Sequence, residues 1–242
     1  MVRAALIVLA LLAPPKHPKK PTKPQVTKPA EPSKPAEVLI TFDDGPHRQF
    51  TPKVLAELDK HKIKAIFFVN GWHFDKDEKA RAVLRDEVAH GHYVGNHTYS
   101  HRVLCKHILL APTEIDKNED LIEQALGYRP SLLRTPYGQH CAPLVKIVQQ
   151  RGYDQIAWDI DAQEWKPGSK GDRVAKYIID HIAHAHGRTI VLLHDTHAVT
   201  LDALPKILEW LDKHPDIKVL EPKALLKPGA PTPKLAATTQ LR

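Results

Sequence analysis

Between residues 37 and 226, short apolar runs and helix-length segments take turns, and this alternation excludes all-helical and all-antiparallel folds. Val38 to Phe42 reads as a buried strand. A helix is expected from Thr51 to about His61, with Thr51 as N-cap and Pro52 at the first helical position. Strands are expected at 63–69, 93–96, 132–134, 155–159, 189–193 and 217–220. The helices between them fall at 77–90, 113–126, 143–151, 172–186 and 201–213, with Thr113 and Asp116 spaced as in a capping box. Repeated strand–helix units imply parallel strands joined by crossover helices, in a doubly wound sheet or a barrel. No solenoid-type repeat interrupts the pattern.

The polar residues that packing does not explain stand just after these strands: Asp43-Asp44, His97/His101, Arg134/Tyr137, Asp161/Glu164/Trp165 and His194-Asp195. In a (β/α) barrel the C-terminal strand ends share one face, where catalytic groups converge. His97 and His101 could face the same way on a helical turn. The pair alone is weak evidence in a chain with 16 histidines. Asp44 supplies a third ligand, and two imidazoles with one carboxylate suit a catalytic zinc or similar divalent ion. Asp43 could face a bound water as general base, although Asp-Gly-Pro is also ordinary turn chemistry. Arg134 could hold that base ionised, and His194 is placed to act as an acid or to be a core histidine.

In chain order, Thr41-Phe42-Asp43-Asp44-Gly45-Pro46, His97-Thr98-Tyr99-Ser100-His101, Arg134-Thr135-Pro136-Tyr137-Gly138, Asp161-Ala162-Gln163-Glu164-Trp165 and Leu192-Leu193-His194-Asp195 resemble the five motifs of the polysaccharide deacetylases (NodB homology domain, carbohydrate esterase family 4). The resemblance covers about residues 37–222. It implies an α/β fold, a distorted (β/α) barrel of about seven parallel strands. It also implies Asp44, His97 and His101 as the ligands of a divalent ion, usually Zn²⁺, with Asp43 as the base on the metal water. Arg134 would tether Asp43, the backbone N–H of Tyr137 would stabilise the oxyanion, and His194 would protonate the leaving amine. Leu192 and Trp165 would line the acetyl-methyl pocket. The fourth family motif normally ends Asp-Trp, whereas this one ends Glu164-Trp165. Whether Asp161 or Glu164 supports the charge network is therefore open.

Cys105 and Cys141 each lie three or four residues beyond a motif residue, and a disulfide is expected if their loops adjoin. His47 and His140 follow motif turns and could line the cleft. Asp195 is expected to be a local hydrogen-bond partner.

The net charge of +7 would suggest a nucleic-acid partner if it lay on the folded surface. It does not: residues 1–37 carry +5, residues 226–242 carry +3, and residues 38–225 carry −1. No nucleic-acid partner is expected. Met1-Val2-Arg3 with the apolar run Ala4 to Ala13 reads as a signal peptide or anchor-like segment. Residues 14–36 read as a Pro/Lys-rich linker and 227–242 as a tail, leaving a domain at 37–226. Residues 1–36 could associate with a membrane or envelope, and the protein is expected to be exported. The expected activity is removal of N-acetyl groups from an N-acetylglucosamine-containing polysaccharide, of the peptidoglycan or chitin type. O-deacetylation of a polymer such as acetylxylan and a non-catalytic glycan-binding role are the alternatives. No Gly-x-Ser-x-Gly elbow supports serine-hydrolase chemistry.

Overall fold

The computed structural model describes residues 35–232. Its strands are β1 (Ala36–Asp43), β2 (Ile66–Val69), β3 (Tyr93–Asn96), β4 (Leu132–Leu133), β5 (Asp154–Gln155), β6 (Ile160–Asp161), β7 (Gly187–His194) and β8 (Lys218–Val219). The helices are α1 (Thr51–Lys60), α2 (Glu78–Ala89), α3 (Ala111–Leu126), α4 (Ala142–Gln150), α5 (Gly171–Ala183) and α6 (Ala198–Asp212). All pairings are parallel, in the order β5-β4-β3-β2-β1-β7-β6, with β8 beside the start of β1. The seven-strand path curls into a half-barrel. Its end strands, β5 and β6, do not pair with each other, so the barrel keeps a seam.

Period-two alternation sorts the side chains. Val38, Ile40 and Phe42 of β1, Phe67 and Val69 of β2, and Val191 and Leu193 of β7 join the layer beneath the helices. The opposite parity faces inward: Leu39, Ile66, Phe68, Tyr93 and Leu132 form an apolar plug. That inward row on β1 runs Leu39, Thr41, Asp43, from apolar to charged towards the C-terminal end. On β7, Leu192 and His194 share the inward parity. The catalytic-type residues are thus inward-facing strand residues that come after the plug has ended.

Several local expectations are corrected. Thr51 is not the N-cap of α1; Phe50 is. The Thr51 hydroxyl instead accepts the His47 N–H at 2.8 Å and donates to Asp195. Helix α3 begins at Ala111 with Pro112 in its first turn, so Thr113 and Asp116 lie inside it. The single strand expected at 155–159 is two short strands. Residues 156–159 cross the seam between them, tied by Ile156 N–H to Leu133 O at 2.8 Å and Asp159 N–H to Ile190 O at 2.9 Å. The signal-like segment at 1–13 and residues 14–34 of the linker lie outside the described residues, as do 233–242 of the tail. Where described, the expected tail begins with Lys227 paired to Asp154 at 2.5 Å.

Helix α2 buries Ala80, Val83, Leu84 and Glu87, a helical stripe whose fourth member is charged. Glu87 is wholly buried and neither carboxylate oxygen has a partner. Burial, with the charges of Asp195 and Asp86, pushes its pKa well above the usual carboxylate range. A carboxyl whose folded pKa is raised adds most stability below its unfolded pKa and loses it as pH rises. Glu87→Leu should therefore stabilise the protein at pH 7 by about 1–3 kcal/mol, the penalty of an unpaired buried polar group. Thermal melts should show a higher Tm, with a larger gain at pH 9 than at pH 5. A lower Tm would show that the carboxyl has a partner.

Candidate active site

The inward strand ends meet in one open cleft of about 440 Å³, lined by Asp43, Asp44, His97, His101, Tyr137, Trp158, Asp161, Trp165, Leu192, His194 and His197. Extended backbone would point Asp43 and Asp44 to opposite faces. A left-handed residue at Asp44 (φ 72°) turns the chain so that both reach the cleft. Residues 97–101 are a loop rather than a helical turn, with Thr98 (φ 70°) and His101 (φ 54°) also left-handed. Asn96 accepts the Thr98 N–H at 2.8 Å, and Glu114 on α3 accepts the Ser100 N–H at 2.7 Å, which pins this loop. Tyr137 (φ 59°) and Gln163 (φ 55°) complete the pattern. Five of the six left-handed non-glycine residues described lie in these loops, the kind of strain that gathers at functional sites.

One set of side chains suits a metal. The donor atoms of Asp44, His97 and His101 all lie within 4.8 Å of one another. Asp44 Oδ1 stands 3.4 Å from His97 Nε2 and 3.3 Å from His101 Nε2. It is buried and has no hydrogen bond. Ligands about 2.0–2.1 Å from a tetrahedral ion are separated by about 3.3–3.4 Å, so both Asp44–imidazole spacings suit a small divalent ion. His97 Nδ1–H donates to the Arg134 carbonyl at 2.7 Å, which leaves the Nε2 lone pair facing Asp44. Burial acts to raise the Asp44 pKa, but the close His97 ring and the charges of His101 and His194 outweigh it and hold the carboxyl far below its usual range.

Asp43 is paired differently. Its Oδ1 accepts from Arg134 Nη1 at 2.7 Å, and its Oδ2 lies 3.6 Å from His97 Nε2. Arg134 is fully buried and each of its guanidinium nitrogens is engaged: Nη1 also reaches Thr41 Oγ1 at 2.8 Å, while Nε and Nη2 donate to the Ile156 and Ala157 carbonyls at 3.2 Å. Its guanidinium lies over Phe68, 4.3 Å from the ring centroid. Gly95 makes room for that ring, since a Cβ there would approach it to 2.6 Å.

His194 faces the metal set from the other side, with Nε2 at 3.9 Å from Asp44 Oδ2. Glu164 Oε1 accepts both its Nδ1–H at 2.9 Å and its backbone N–H at 2.6 Å. Asp161 does not reach His194; its Oδ1 takes the Gln163 N–H at 2.8 Å while the residue lines the cleft. Burial acts to lower the His194 pKa, but the Glu164 hydrogen bond and charge, then Asp43 and Asp44, raise it to about 9. A divalent cation on the ligand set would offset the aspartate contributions and leave Glu164 as the sustaining group. In Glu164→Gln the alkaline limb of kcat/KM should move down by about one to two pH units, because the imidazolium loses its charge partner. An unmoved limb would assign that titration to another group.

The cleft also holds residues that motif reading does not reach. Trp158 packs against Gly138, where a Cβ would lie 2.9 Å from its ring. His197 meets the His194 ring edge-on at 5.8 Å. Thr41, which opens the first motif but carried no expected role, lies beneath the cleft and accepts from Arg134 Nη1. Of the two histidines expected at the cleft, His47 lines a neighbouring cavity and His140 lines neither. Asp195 bonds Thr51, and burial pushes it up to about 7. Cys105 and Cys141 are joined, with Cα atoms 6.0 Å apart, linking the loop beyond His101 to the loop beyond Tyr137.

Comparison with known proteins decides the family. The polysaccharide deacetylase model matches residues 30–156, just over half of the sequence. The chain belongs to the polysaccharide deacetylase family. The match ends before Asp161, Glu164 and His194, so the last two motifs of this deacetylase-family chain rest on the geometry above. It is 34% identical over 181 residues to a peptidoglycan-N-acetylglucosamine deacetylase of Bacillus cereus, covering 73% of the chain and 63% of the relative. It is 35% identical over 177 residues to the peptidoglycan-N-acetylmuramic acid deacetylase PdaC of Bacillus subtilis, covering 72% and 35%. The chain thus spans less than two thirds of the length of these relatives. The PdaC structure superposes with a TM-score of 0.69 at 29% identity, over 80% of this chain and 90% of that one. A family 4 pseudoenzyme from Bacillus anthracis, BA3943, superposes with a TM-score of 0.68 at 25% identity, over 81% and 67%.

Proposed function

We propose that this chain is a zinc-dependent hydrolase that removes N-acetyl groups from an N-acetylglucosamine-containing polysaccharide, with peptidoglycan-type glycan as the leading substrate. The observation that carries the reading is the placement of two opposed groups about one ligand set: Asp43, anchored by Arg134, on one side and His194, anchored by Glu164, on the other. Asp44, His97 and His101 would hold the ion. Bound there, it supplies Lewis-acid chemistry, polarising the acyl carbonyl and acidifying water.

Arg134 occupies one Asp43 oxygen and leaves Oδ2 to take the proton of the attacking water. The backbone N–H of Tyr137 stabilises the oxyanion of the tetrahedral intermediate. His194 then donates the Nε2 proton to the departing amine nitrogen, giving free amine and acetate. Glu164 keeps that imidazole oriented and charged. Buried Leu192 and half-exposed Trp165 accept the acetyl methyl, and the exposed face of Tyr137 is available to a sugar ring. The Cys105–Cys141 bond supports an oxidising, exported location. Among the described residues no helix is long and apolar enough to cross a membrane. Any envelope association is assigned to residues 1–36.

An acetate-release screen over peptidoglycan, chitooligosaccharides and acetylxylan, with and without chelator, tests the reading. Release from the N-acetylated polymers, abolished by chelator and restored by zinc, is expected. Preferential release from acetylxylan would make the protein an O-deacetylase. No release from any polymer would favour a glycan-binding role like that open to a pseudoenzyme.

A further inference from the structure

Beside the catalytic cleft, on the other side of the Asp44–Pro46 turn, lies a second cavity of about 590 Å³. Pro46, His47 and Arg48 form one wall, and His73, Asp77 and Lys79 form the other. The two cavities are neighbours: His47 and His73 of one lie near enough to His197 and Asp44 of the other to interact electrostatically.

The charge of this cavity is one-sided. Asp77, its one carboxylate, is already engaged: Oδ1 accepts the N–H groups of Lys79 and Ala80 at 3.1 Å, and Oδ2 lies 3.4 Å from Arg48 Nη1. His47 Nδ1 accepts the backbone N–H groups of Gln49 and Phe50 at 3.2 and 3.1 Å, so its proton sits on Nε2. The ring is held by stacking on Phe50, with centroids 4.3 Å apart. Neither the Lys79 ammonium nor His47 Nε2 has a partner among the described residues, and Arg48 spends one nitrogen on a long contact. Gln49 and His73, which also line the cavity, are neutral groups that can donate or accept, so the charge left open there is positive and the one carboxylate is used up.

From this we infer that the cavity is a second substrate subsite, which takes a carboxylate borne by the polymer residue next to the one deacetylated. The inference rests on the proposed glycan reading of the adjoining cleft. Arg48 and Lys79 would supply charge-assisted hydrogen bonds and His47 Nε2–H a neutral one. On a peptidoglycan-type chain the carboxylate has two sources: the lactyl ether of a peptide-free muramic sugar, or the free carboxylates of an attached peptide.

Calorimetric binding to the full, zinc-loaded chain separates these cases. The probes are a neutral chitooligosaccharide, a peptide-free glycan of equal length carrying lactyl carboxylates, and the same glycan carrying peptides. At least one carboxylate-bearing glycan should bind about tenfold more tightly than the neutral one. Whichever does so identifies the source. In the double variant Arg48→Gln/Lys79→Gln that ratio should fall close to one, whereas Arg48→Lys/Lys79→Arg should keep most of it. A mere packing role would not show this dependence on charge. A wild-type ratio near one, or a ratio unchanged in the Gln variant, would overturn the subsite. Acetate release from the same three glycans is read separately: selective binding without release would defeat the proposed activity and leave the subsite standing. Release without selectivity would do the reverse.

Discussion

Replacing Asp43 with Asn should lower kcat on an N-acetylated oligosaccharide by about 10³, within the 10²–10⁴ range of a positioned general base. The side chain would keep its volume, and its amide oxygen could still accept from Arg134 Nη1, now 2.7 Å from the carboxylate. What disappears is the capacity of Oδ2 to take a proton. Because Asp43 Oδ2 is also 3.6 Å from His97 Nε2, a ligand role competes with the base role, and metal content separates them. As a base, Asp43→Asn should bind zinc within about tenfold of wild type in a chelator competition, its loss lying in kcat rather than in metal occupancy. A chain that loses its zinc would make Asp43 a ligand, and a fall in kcat of less than tenfold would place the base elsewhere.

The second large effect belongs to Arg134. Arg134→Met should destabilise the fold by about 3–5 kcal/mol, the usual result of removing one partner of a buried ion pair. Asp43 is 2% exposed, so its charge would have no solvent to replace the guanidinium. The carbonyls of Ile156 and Ala157 would lose their donors as well. A Tm lower by roughly 10 °C follows from the usual scaling for a domain of this size. Activity should fall further than the lost folded fraction explains, since the base is no longer aimed. A double-mutant cycle checks the coupling: Asp43→Asn should cost less stability in the Arg134→Met background than in the wild type. Additive losses would show that Arg134 stabilises the seam without acting on Asp43.

Much of the site was legible because β-strand parity and motif spacing carry the same information. Asp43, Leu192 and His194 have the inward parity of their strands, and Asp44 and His97 follow strand ends, so their order along the chain maps onto one face. Other features depend on the path of loops, where spacing says little. Asp161 and Glu164 were equal candidates as the partner of His194. The left-handed residue Gln163 turns the chain so that Glu164 goes inward, while Asp161 spends its oxygen on the Gln163 N–H. Helix starts failed for a related reason. Thr51 has the chemistry of a cap, but its hydroxyl is taken by His47 and Asp195, and proline in the first turn sets the start of both α1 and α3. Trp158 was missed because it lies on the crossing 156–159, which reads as ordinary strand.

The seam has a thermal consequence. Elsewhere in the barrel neighbouring strands hold each other through ladders of backbone bonds, which let go together. At the β5–β6 gap no such ladder exists: one backbone bond at each end of the crossing and the side chain of Arg134, which also aims the base, do the job. Local opening there costs less than global unfolding and needs no helix to leave its place. On heating, catalysis would therefore fade while the secondary structure is still intact, and the working temperature of the protein would be set by the crossing that Arg134 grips rather than by its hydrophobic core.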